Sequence, residues 1–256
     1  MDLKLRLEAA REAAEQAGKM LLERHAFHIE NKAAKDFVTD MDRASEAMII
    51  SALRARFPED GFFAEETGIS EQRDGMWVID PIDGTTNFIK NIPLYTISIA
   101  YMRGGEVEVG VVYAPALNEM YTAMKGGGAF MNGKPIHVSD VAEPVRAIVS
   151  TSFVHRNPDV SAKVMPQFTA LMPKINDFRR MGSAAFDLCC VACGRVDAFF
   201  EAKLNLYDIA AGVLIAREAG GRVTGWKNGP DCLVSGDVMA SNGLLHEFFL
   251  NSMNLD

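Results

Sequence analysis

Two aspartates at the end of an apolar run are the residues of this chain whose chemistry is easiest to infer. Asp80 and Asp83 lie in the segment WVIDPIDGTTNF, in which residues 77–79 are apolar and Pro81 and Gly84 adjoin the acids. Proline removes a backbone donor and glycine permits a sharp turn, so both carboxylates are expected where a strand ends. Carboxylate oxygens held this close together suit Mg²⁺. The alternative is a pair of ordinary turns, since Asp-Pro and Asp-Gly are common turn dipeptides.

Three more acidic residues could complete the same metal site. Glu65 follows the apolar residues 62–64, Asp42 lies shortly after a Val-Thr pair, and Asp208 precedes the small-residue segment IAAG. Each of them also has a purely structural interpretation. Glu65 would then be a solvated loop residue, and Asp42 and Asp208 would be helix N-caps. Asp40 adds a carboxylate beside Asp42, and the sequence leaves its direction open.

The elements that would position these acids follow from the spacing of apolar residues. Spacings of three and four from residue 3 to 22 and from 44 to 57 predict two amphipathic helices, the second ended by Pro58. Between residues 77 and 123, β-branched and aromatic runs separated by turn residues predict consecutive antiparallel strands. Predicted strands and helices then alternate, with strands at 147–151, 196–201 and 238–241 and helices at 183–193 and 208–219.

Composition limits the class of protein. The 256 residues are 48% hydrophobic and 23% charged, which predicts a globular chain with a single domain. The blocks of predicted helices and strands in both halves indicate sub-domains of approximately 1–140 and 141–256. The 26 basic and 34 acidic side chains give a net charge of −8, which disfavours a direct nucleic-acid partner. Without a recognisable signal peptide or bilayer-spanning segment, a cytoplasmic protein with no membrane partner is expected. Cys189, Cys190 and Cys193 are interpreted as buried free thiols, not as a zinc site or disulfides.

Several motifs resemble, in the same order, those of the inositol monophosphatase family of Mg²⁺-dependent, lithium-sensitive phosphatases. They are Glu65-Glu66-Thr67, residues 77–88, and residues 208–212 with the EAGG of residues 218–221. The segments RRMGSAA from residue 179 and GRVD from residue 194 resemble the bacterial inositol-1-monophosphatase branch. The resemblance implies an α+β fold of the sugar-phosphatase type, a layered α-β sandwich (αβαβα). An antiparallel sheet is expected in the N-terminal half and a mixed sheet with helices in the C-terminal half.

The resemblance also implies roles for individual residues. It implies two or three Mg²⁺ ions held by Glu65, Asp80, the carbonyl of Ile82, Asp83 and Asp208. It implies catalytic roles for Asp42, Glu65 and Thr85, with Asp42 and Thr85 orienting and deprotonating the attacking water. The residues implied to contact the substrate are Asp83, Gly84, Thr85, Gly182, Ser183, Ala184, Glu201 and Asp208.

The implied activity is hydrolysis of myo-inositol monophosphates and related small polyol or sugar phosphates by metal-activated water. The alternatives within the same fold are a fructose-1,6-bisphosphatase, a histidinol-phosphate phosphatase or a nucleotide 3′-phosphatase. A different alternative is a transcription-antitermination factor with a transcription-complex partner and dispensable catalysis. A homodimer is also implied, with Arg179 and Arg180 either at the interface or solvated. Tyr207, where the family usually has tryptophan, and the divergent residues 152–156 leave the substrate preference open.

Overall fold

Small side chains line one face of the first helix and let it lie close to a sheet. Helix α1 (Leu3–Glu23) buries five alanines, Ala9, Ala10, Ala13, Ala14 and Ala17. A Cβ at Gly18 would stand 2.5 Å from the ring of Tyr113, so glycine permits this close approach. The structure is a computed structural model that describes residues 2–23, 27–33, 36–71, 73–152, 158–226 and 232–253.

A two-stranded hairpin and an eight-stranded sheet make up the strands of the N-terminal half. The hairpin is β1 (Ile29–Ala33) and β2 (Asp36–Thr39). The sheet contains β3 (Gly61–Ala64), β4 (Gly68–Glu71), β5 (Gly75–Asp83), β6 (Thr96–Arg103), β7 (Glu106–Ala114), β8 (Glu119–Met124), β9 (Ala129–Met131) and β10 (Lys134–Pro135), in the order β10-β9-β8-β7-β6-β5-β3-β4. Its pairs are antiparallel except for β3 and β5, which run parallel because the chain forms the β3–β4 hairpin before it crosses to the far side of β3.

The C-terminal half contains a mixed five-stranded sheet. Its strands are β11 (Ile148–Thr151), β12 (Asp177–Arg179), β13 (Ala198–Glu201), β14 (Arg222–Thr224) and β15 (Val238–Ser241), in the order β12-β11-β13-β15-β14. The pairs of β11 with β12 and with β13 are parallel, and the pairs made by β15 are antiparallel. The remaining helices are α2 (Asp40–Arg56), α3 (Thr85–Ile89), α4 (Pro158–Leu171), α5 (Ala184–Ala192), α6 (Leu206–Glu218), α7 (Cys232–Ser235) and α8 (His246–Ser252).

Alternating side chains on the strands build five layers. On β5, Trp77 and Ile79 face the cluster formed with α1 and α2, whereas Val78 faces the cluster that contains α5 and α6. On β13, Phe199 joins the α5–α6 cluster, and Phe200 faces the cluster of α4 and α8. The order of layers is therefore α1/α2, first sheet, α5/α6, second sheet, α4/α8, which confirms the predicted αβαβα sandwich. Helices α5 and α6 pack on both sheets and so join the two halves of the chain. The boundary between sub-domains near residue 140 stays a prediction.

Two predicted N-caps are wrong by one turn. The N-cap of α2 is Thr39 and that of α6 is Asn205, while Asp42 and Asp208 are each the third residue of a capping box. In a capping box the acid accepts a hydrogen bond from the backbone of the cap residue. Each helix therefore begins two residues before the predicted acid, and each acid points back across the helix entrance.

Within the described ranges, no helix combines the length and the apolar character that a bilayer span requires.

A buried histidine makes the stability of the fold sensitive to acid. His246 is fully buried, with Nδ1 2.9 Å from Ser241 Oγ and Nε2 3.0 Å from Thr224 Oγ1. Burial lowers the pKa of His246 to about 4. In the unfolded chain the pKa is about 6.5, so the unfolded state binds the proton first as pH falls. We expect the contribution of His246 to be complete above about pH 6.5 and to decrease towards pH 4, by up to about 3 kcal/mol.

Urea unfolding of the wild type and the His246→Gln variant between pH 4 and pH 8 checks this expectation. The carboxyl groups are the same in both proteins, so the difference between the two free energies of unfolding isolates the histidine. That difference should decrease between pH 6.5 and pH 4. Parallel stability curves for the two proteins would contradict it.

Candidate active site

One cavity of about 1020 Å³ gathers residues from both halves of the chain. Its walls come from the turn after β3, the end of β5, the start of α3, the loop and first turns of α5, the end of β13 and the start of α6. The predicted metal-binding, catalytic and substrate-binding residues that line this cavity are Glu65, Asp80, Ile82, Asp83, Gly84, Thr85, Gly182, Ser183, Ala184, Glu201 and Asp208. The fold thus brings together segments that are more than 100 residues apart in the chain.

The end of β5 holds its two aspartates in different environments. Asp80 is buried, and its Oδ1 accepts a hydrogen bond from the backbone of Ile82 at 3.0 Å. Asp83 Oδ2 accepts bonds from Ser183 Oγ and from the backbone N–H of Ala185, both at 2.7 Å. The pairing of β5 with β6 is irregular between the two aspartates, so the strand bulges there. These bonds involve one carboxylate oxygen of each aspartate, and both residues line the cavity.

Glycine is required where the chain turns after Asp83. Gly84 has a φ of 98°, in the left-handed region that side chains disfavour. A Cβ at this position would also stand 3.1 Å from the carbonyl oxygens of Gly182 and Leu94. The backbone of residue 84 therefore lies directly against the Gly182 loop.

A threonine hydroxyl connects β5 to helix α2. Thr85 Oγ1 lies 3.2 Å from Asp42 Oδ1 and 3.1 Å from the carbonyl oxygen of Ile82. The other oxygen of Asp42 accepts bonds from the backbone N–H and the hydroxyl of Thr39, at 2.7 and 2.6 Å. Asp42 is buried and is not among the residues that line the cavity, whereas Thr85, which is bonded to it, does line the cavity. A carboxylate behind a hydroxyl can receive a proton from it.

Glu65 and Asp208 line the cavity from two different elements of the fold. Glu65 is the first residue after β3, and its backbone N–H donates to the carbonyl of Ile79 at 3.1 Å. Asp208 lies in the first turn of α6, and its Oδ2 accepts from the backbone N–H of Asn205 at 2.6 Å. Both side chains are half-buried. Their placement follows from a turn and a helix entrance, the two local features that the sequence predicted.

Burial and mutual repulsion raise the pKa values of the clustered acids. The pKa of Asp83 rises to about 7, with burial as the main cause. The pKa values of Asp80 and Asp208 are raised well above the usual range by burial, reinforced by the charges of Glu65 and Asp83. The pKa of Asp42 is raised by burial, against the bonds from Thr39, which lower it. These directions are those expected of buried carboxylates that lie close to one another.

The donor set suits a hard divalent cation. Carboxylate and carbonyl oxygens are the ligands that Mg²⁺ prefers, and a cation among carboxylates favours their ionised forms. It would therefore offset both the burial and the repulsion. Across the described ranges, no three His, Cys, Asp or Glu side chains form a closed metal-binding cluster. The cavity thus offers ligands of the right type on separate elements, without a preformed cage.

Asp40 lies apart from this set. Its Oδ1 accepts a hydrogen bond from the backbone of His28 at 3.1 Å, and its side chain is exposed. It secures the β1–β2 hairpin, which settles the direction that the sequence left open.

Several cavity residues were missed or only partly interpreted from the sequence. Asn87 Nδ2 donates to the carbonyls of Leu94 and Met181, at 2.6 and 2.8 Å, and so ties the turn after β5 to the Gly182 loop. The other residues are Asp187, Arg180 and Lys203, which line the cavity, and Tyr207, which does so while packing edge-on against Phe63. Two of these residues could have been predicted to line the cavity from their distance in the sequence to predicted substrate-binding residues. Arg180 lies two residues before Gly182, and Asp187 lies one helical turn after Ser183.

The remaining expectations concern arginines, cysteines and the divergent segment. Arg179 forms an ion pair with Asp177, and the exposed Arg180 lies at the cavity. Whether the two arginines lie at a dimer interface or are solvated stays a prediction. Cys189 and Cys190 are free and buried, and burial raises the pKa values of their thiols, as expected of inert residues. Cys193 is also free but only half-buried. Ser152 lines the cavity, and the rest of the divergent segment, 153–156, lies outside the described residues.

The fold and the cavity define a layered α/β protein with an acidic, oxygen-rich centre of the kind that binds divalent cations. Comparison with known proteins makes the class specific. The model of the inositol monophosphatase family matches residues 2–254. The chain therefore belongs to the inositol monophosphatase family, which confirms the resemblance and the phosphatase class that it implied.

Individual relatives agree with this assignment. The chain is 41% identical to the "Nus factor SuhB" of Vibrio cholerae over 242 residues, 94% of this chain and 91% of the relative. It is 37% identical to the "Inositol-1-monophosphatase" of Mesorhizobium japonicum over 253 residues, 98% of this chain and 95% of the relative. The crystal structure of the extragenic suppressor protein suhB from Bartonella henselae superposes with a TM-score of 0.92 at 32% identity, covering 96% of this chain and 97% of that one.

Proposed function

We propose that this protein is a Mg²⁺-dependent phosphomonoesterase that hydrolyses myo-inositol monophosphates and related polyol or sugar phosphates. The observation that supports this most directly is the convergence of carboxylates from β3, β5 and α6 on one cavity, beside the Thr85–Asp42 pair. The proposed ligands of two or three Mg²⁺ ions are Glu65, Asp80, the carbonyl of Ile82, Asp83 and Asp208. When bound, such ions supply an acidified water and neutralise charge on the phosphate and the leaving oxygen.

The chain's own residues would perform the remaining tasks. Thr85 orients the attacking water and passes its proton to Asp42, whose burial favours proton uptake. Glu65 lines the same cavity as Thr85 and completes the proposed catalytic set. The backbone N–H groups of Gly84 and Thr85 would bind phosphate oxygens. On this mechanism no side chain forms a covalent bond to phosphorus.

The alcohol part of the substrate would lie against the C-terminal half of the cavity. We assign its hydroxyls to the Gly182 loop and to Glu201, and its leaving oxygen to the vicinity of Asp208. Phosphate release from a panel of substrates, with Mg²⁺ and with excess chelator, tests the whole proposal. The panel should include inositol phosphates, fructose 1,6-bisphosphate, histidinol phosphate and a nucleoside 3′-phosphate. Activity that persists in excess chelator would contradict the metal-dependent mechanism.

Glu201→Gln should change the substrate ranking without changing the metal requirement. Glu201 ends β13 at the wall of the cavity, and a carboxylate accepts bonds from two hydroxyls where an amide accepts fewer. We expect KM for myo-inositol 1-phosphate to rise about tenfold, the size of one lost charge-assisted hydrogen bond. KM for 4-nitrophenyl phosphate, which lacks the hydroxyls, serves as the control and should stay nearly constant. Equal losses on both substrates with a shifted Mg²⁺ requirement would place Glu201 among the metal ligands.

A second role is favoured by one of the relatives. The name "Nus factor" of the Vibrio cholerae protein supports a place for this chain in a transcription complex, through a protein partner. The net charge of −8 argues against direct contact with nucleic acid. Co-purification of transcription proteins with a catalytically inactive Asp83→Asn variant would separate this role from catalysis.

The assembly and location expected from the family are also proposals. We propose a homodimer in the cytoplasm. Sedimentation equilibrium of the purified chain over a range of concentrations measures the first, and cell fractionation the second.

A further inference from the structure

Helix α2 buries three polar side chains that are bonded to segments next to the proposed metal site. Asp42, Ser45 and Glu46 are each no more than 1% exposed. Their spacing of three and four residues places them on one face of the helix. Buried polar groups are costly unless they are hydrogen-bonded, so the partners of each one indicate what it does.

Glu46 is bonded to the turn that carries Glu65. Its Oε2 accepts from the backbone N–H of Glu66 at 2.7 Å, and its Oε1 accepts from that of Thr67 at 3.0 Å. Both carboxylate oxygens are therefore used on consecutive backbone groups. No neutral side chain offers two equivalent acceptors in this arrangement. The two bonds fix the turn immediately after Glu65 to the helix.

Ser45 is bonded to the other ligand-bearing segment. Its hydroxyl donates to the carbonyl oxygen of Pro81 at 3.1 Å, between Asp80 and Ile82 in the chain. Proline has no N–H, so this contact secures the segment through its carbonyl alone. Adjacent residues of one rigid helix thus hold the two segments that contribute Glu65 and the β5 ligands.

We propose that Glu46 and Ser45 are positioning residues that set the separation of these two segments and thereby the affinity of the site for a divalent cation. The inference rests on the proposed function, because it assumes that Glu65 and the residues at the end of β5 bind the metal. The proposed ligands lie on separate elements, so these elements must be held at a fixed distance before their oxygens can bind the same ion. Glu46 and Ser45 would hold the elements at that distance. Neither residue contacts substrate or reacting atoms in this proposal.

Glu46→Gln is the sharpest test. The amide keeps the size of the side chain but replaces one acceptor with a donor, which then faces a backbone N–H of the Glu66–Thr67 turn. Partners of metal ligands typically contribute about 10–100-fold to metal affinity, so we expect the dissociation constant for Mn²⁺ to rise at least about tenfold. The measurement is titration of free Mn²⁺ by electron paramagnetic resonance, with no substrate present. At saturating Mg²⁺, kcat should return to nearly the wild-type value.

Ser45→Ala should weaken Mn²⁺ binding in the same direction by a smaller factor, because it removes one neutral hydrogen bond. Ser51→Ala changes an exposed serine of the same helix, and Glu59→Gln removes an exposed charge just beyond it. Both controls should bind Mn²⁺ like the wild type. If Glu46→Gln fails to fold, as judged by circular dichroism, the Ser45→Ala variant decides the question.

Two results would overturn the proposal. One is an unchanged Mn²⁺ dissociation constant in folded Glu46→Gln and Ser45→Ala proteins, even if both melt at lower temperature. The other is a low kcat at saturating Mg²⁺ with unchanged Mn²⁺ binding, which would assign Glu46 to the chemical step. A wild-type protein that binds no Mn²⁺ and needs no metal would instead remove the proposed function itself, so the two failures are distinguishable.

Discussion

Replacing Asp83 with asparagine is expected to reduce kcat at saturating Mg²⁺ by at least about 10³-fold, since charge stabilisation by a bound metal is among the largest catalytic effects. Asp83 is one of the residues proposed to hold the Mg²⁺ ions. Its Oδ2 is held by Ser183 and Ala185, so the direction of the side chain is fixed. Asparagine keeps that shape but loses the negative charge and places either an amide N–H or a weaker acceptor towards the cation. Phosphate release from myo-inositol 1-phosphate over a range of Mg²⁺ concentrations measures the effect.

Asp40→Asn is the matched control for the loss of charge. Asp40 is exposed and is bonded to the backbone of His28, so its replacement should leave kcat nearly unchanged. Mn²⁺ binding to the Asp83→Asn variant should weaken in parallel with the loss of activity. Full activity in that variant would rule out Asp83 as an essential ligand.

Replacing Thr85 with alanine is expected to lower kcat about 10²-fold or more, within the usual range for removal of general acid–base assistance, while KM changes little. The hydroxyl of Thr85 is within 3.2 Å of Asp42 Oδ1, and Thr85 itself lines the cavity. Without the hydroxyl, Asp42 remains buried behind the cavity wall. The interaction that is lost belongs to the transition state, so the effect should fall on kcat.

Thr85→Ser keeps the hydroxyl and should retain most of the activity, which separates the role of this group from the packing of the methyl group. A rise in KM at constant kcat in Thr85→Ala would instead make Thr85 a binding residue. An unchanged Mn²⁺ dissociation constant is expected in both variants, because neither changes a proposed ligand.

The fold and the candidate site differ in how far local patterns predict them. Trp77, Val78 and Ile79 are consecutive apolar residues, and successive side chains of a strand point to opposite faces of the sheet. Such a run predicts a strand that is buried on both faces, and in the structure a helical layer packs on each face of the sheet. Residues with a strict local requirement were also predictable. Gly84 adopts a left-handed conformation where the sequence places glycine between two segments that must turn.

Contacts between distant segments were not predictable in the same way. The structural interpretation of Asp42 and Asp208 from the sequence was that they are helix N-caps. More than one residue able to act as a cap lies near the start of each helix, and in the structure the N-caps are Thr39 and Asn205. Asp40 and Asp42 are two residues apart, yet one secures a surface hairpin and the other is buried behind Thr85. Helical geometry turns such residues by about 200° relative to each other, so only packing against the sheet decides which one faces inwards.

Taken alone, the sequence determined the kinds of element and the family, because these depend on residue types and short spacings, and it predicted which oxygen-bearing residues could bind a metal ion. The tertiary structure decided that β3 runs parallel to β5, that Ser183 meets Asp83 across 100 residues, and that Glu46 holds the turn after Glu65. Such contacts depend on how two sheets and three helical layers stack, which is a property of the whole buried core and not of any short segment.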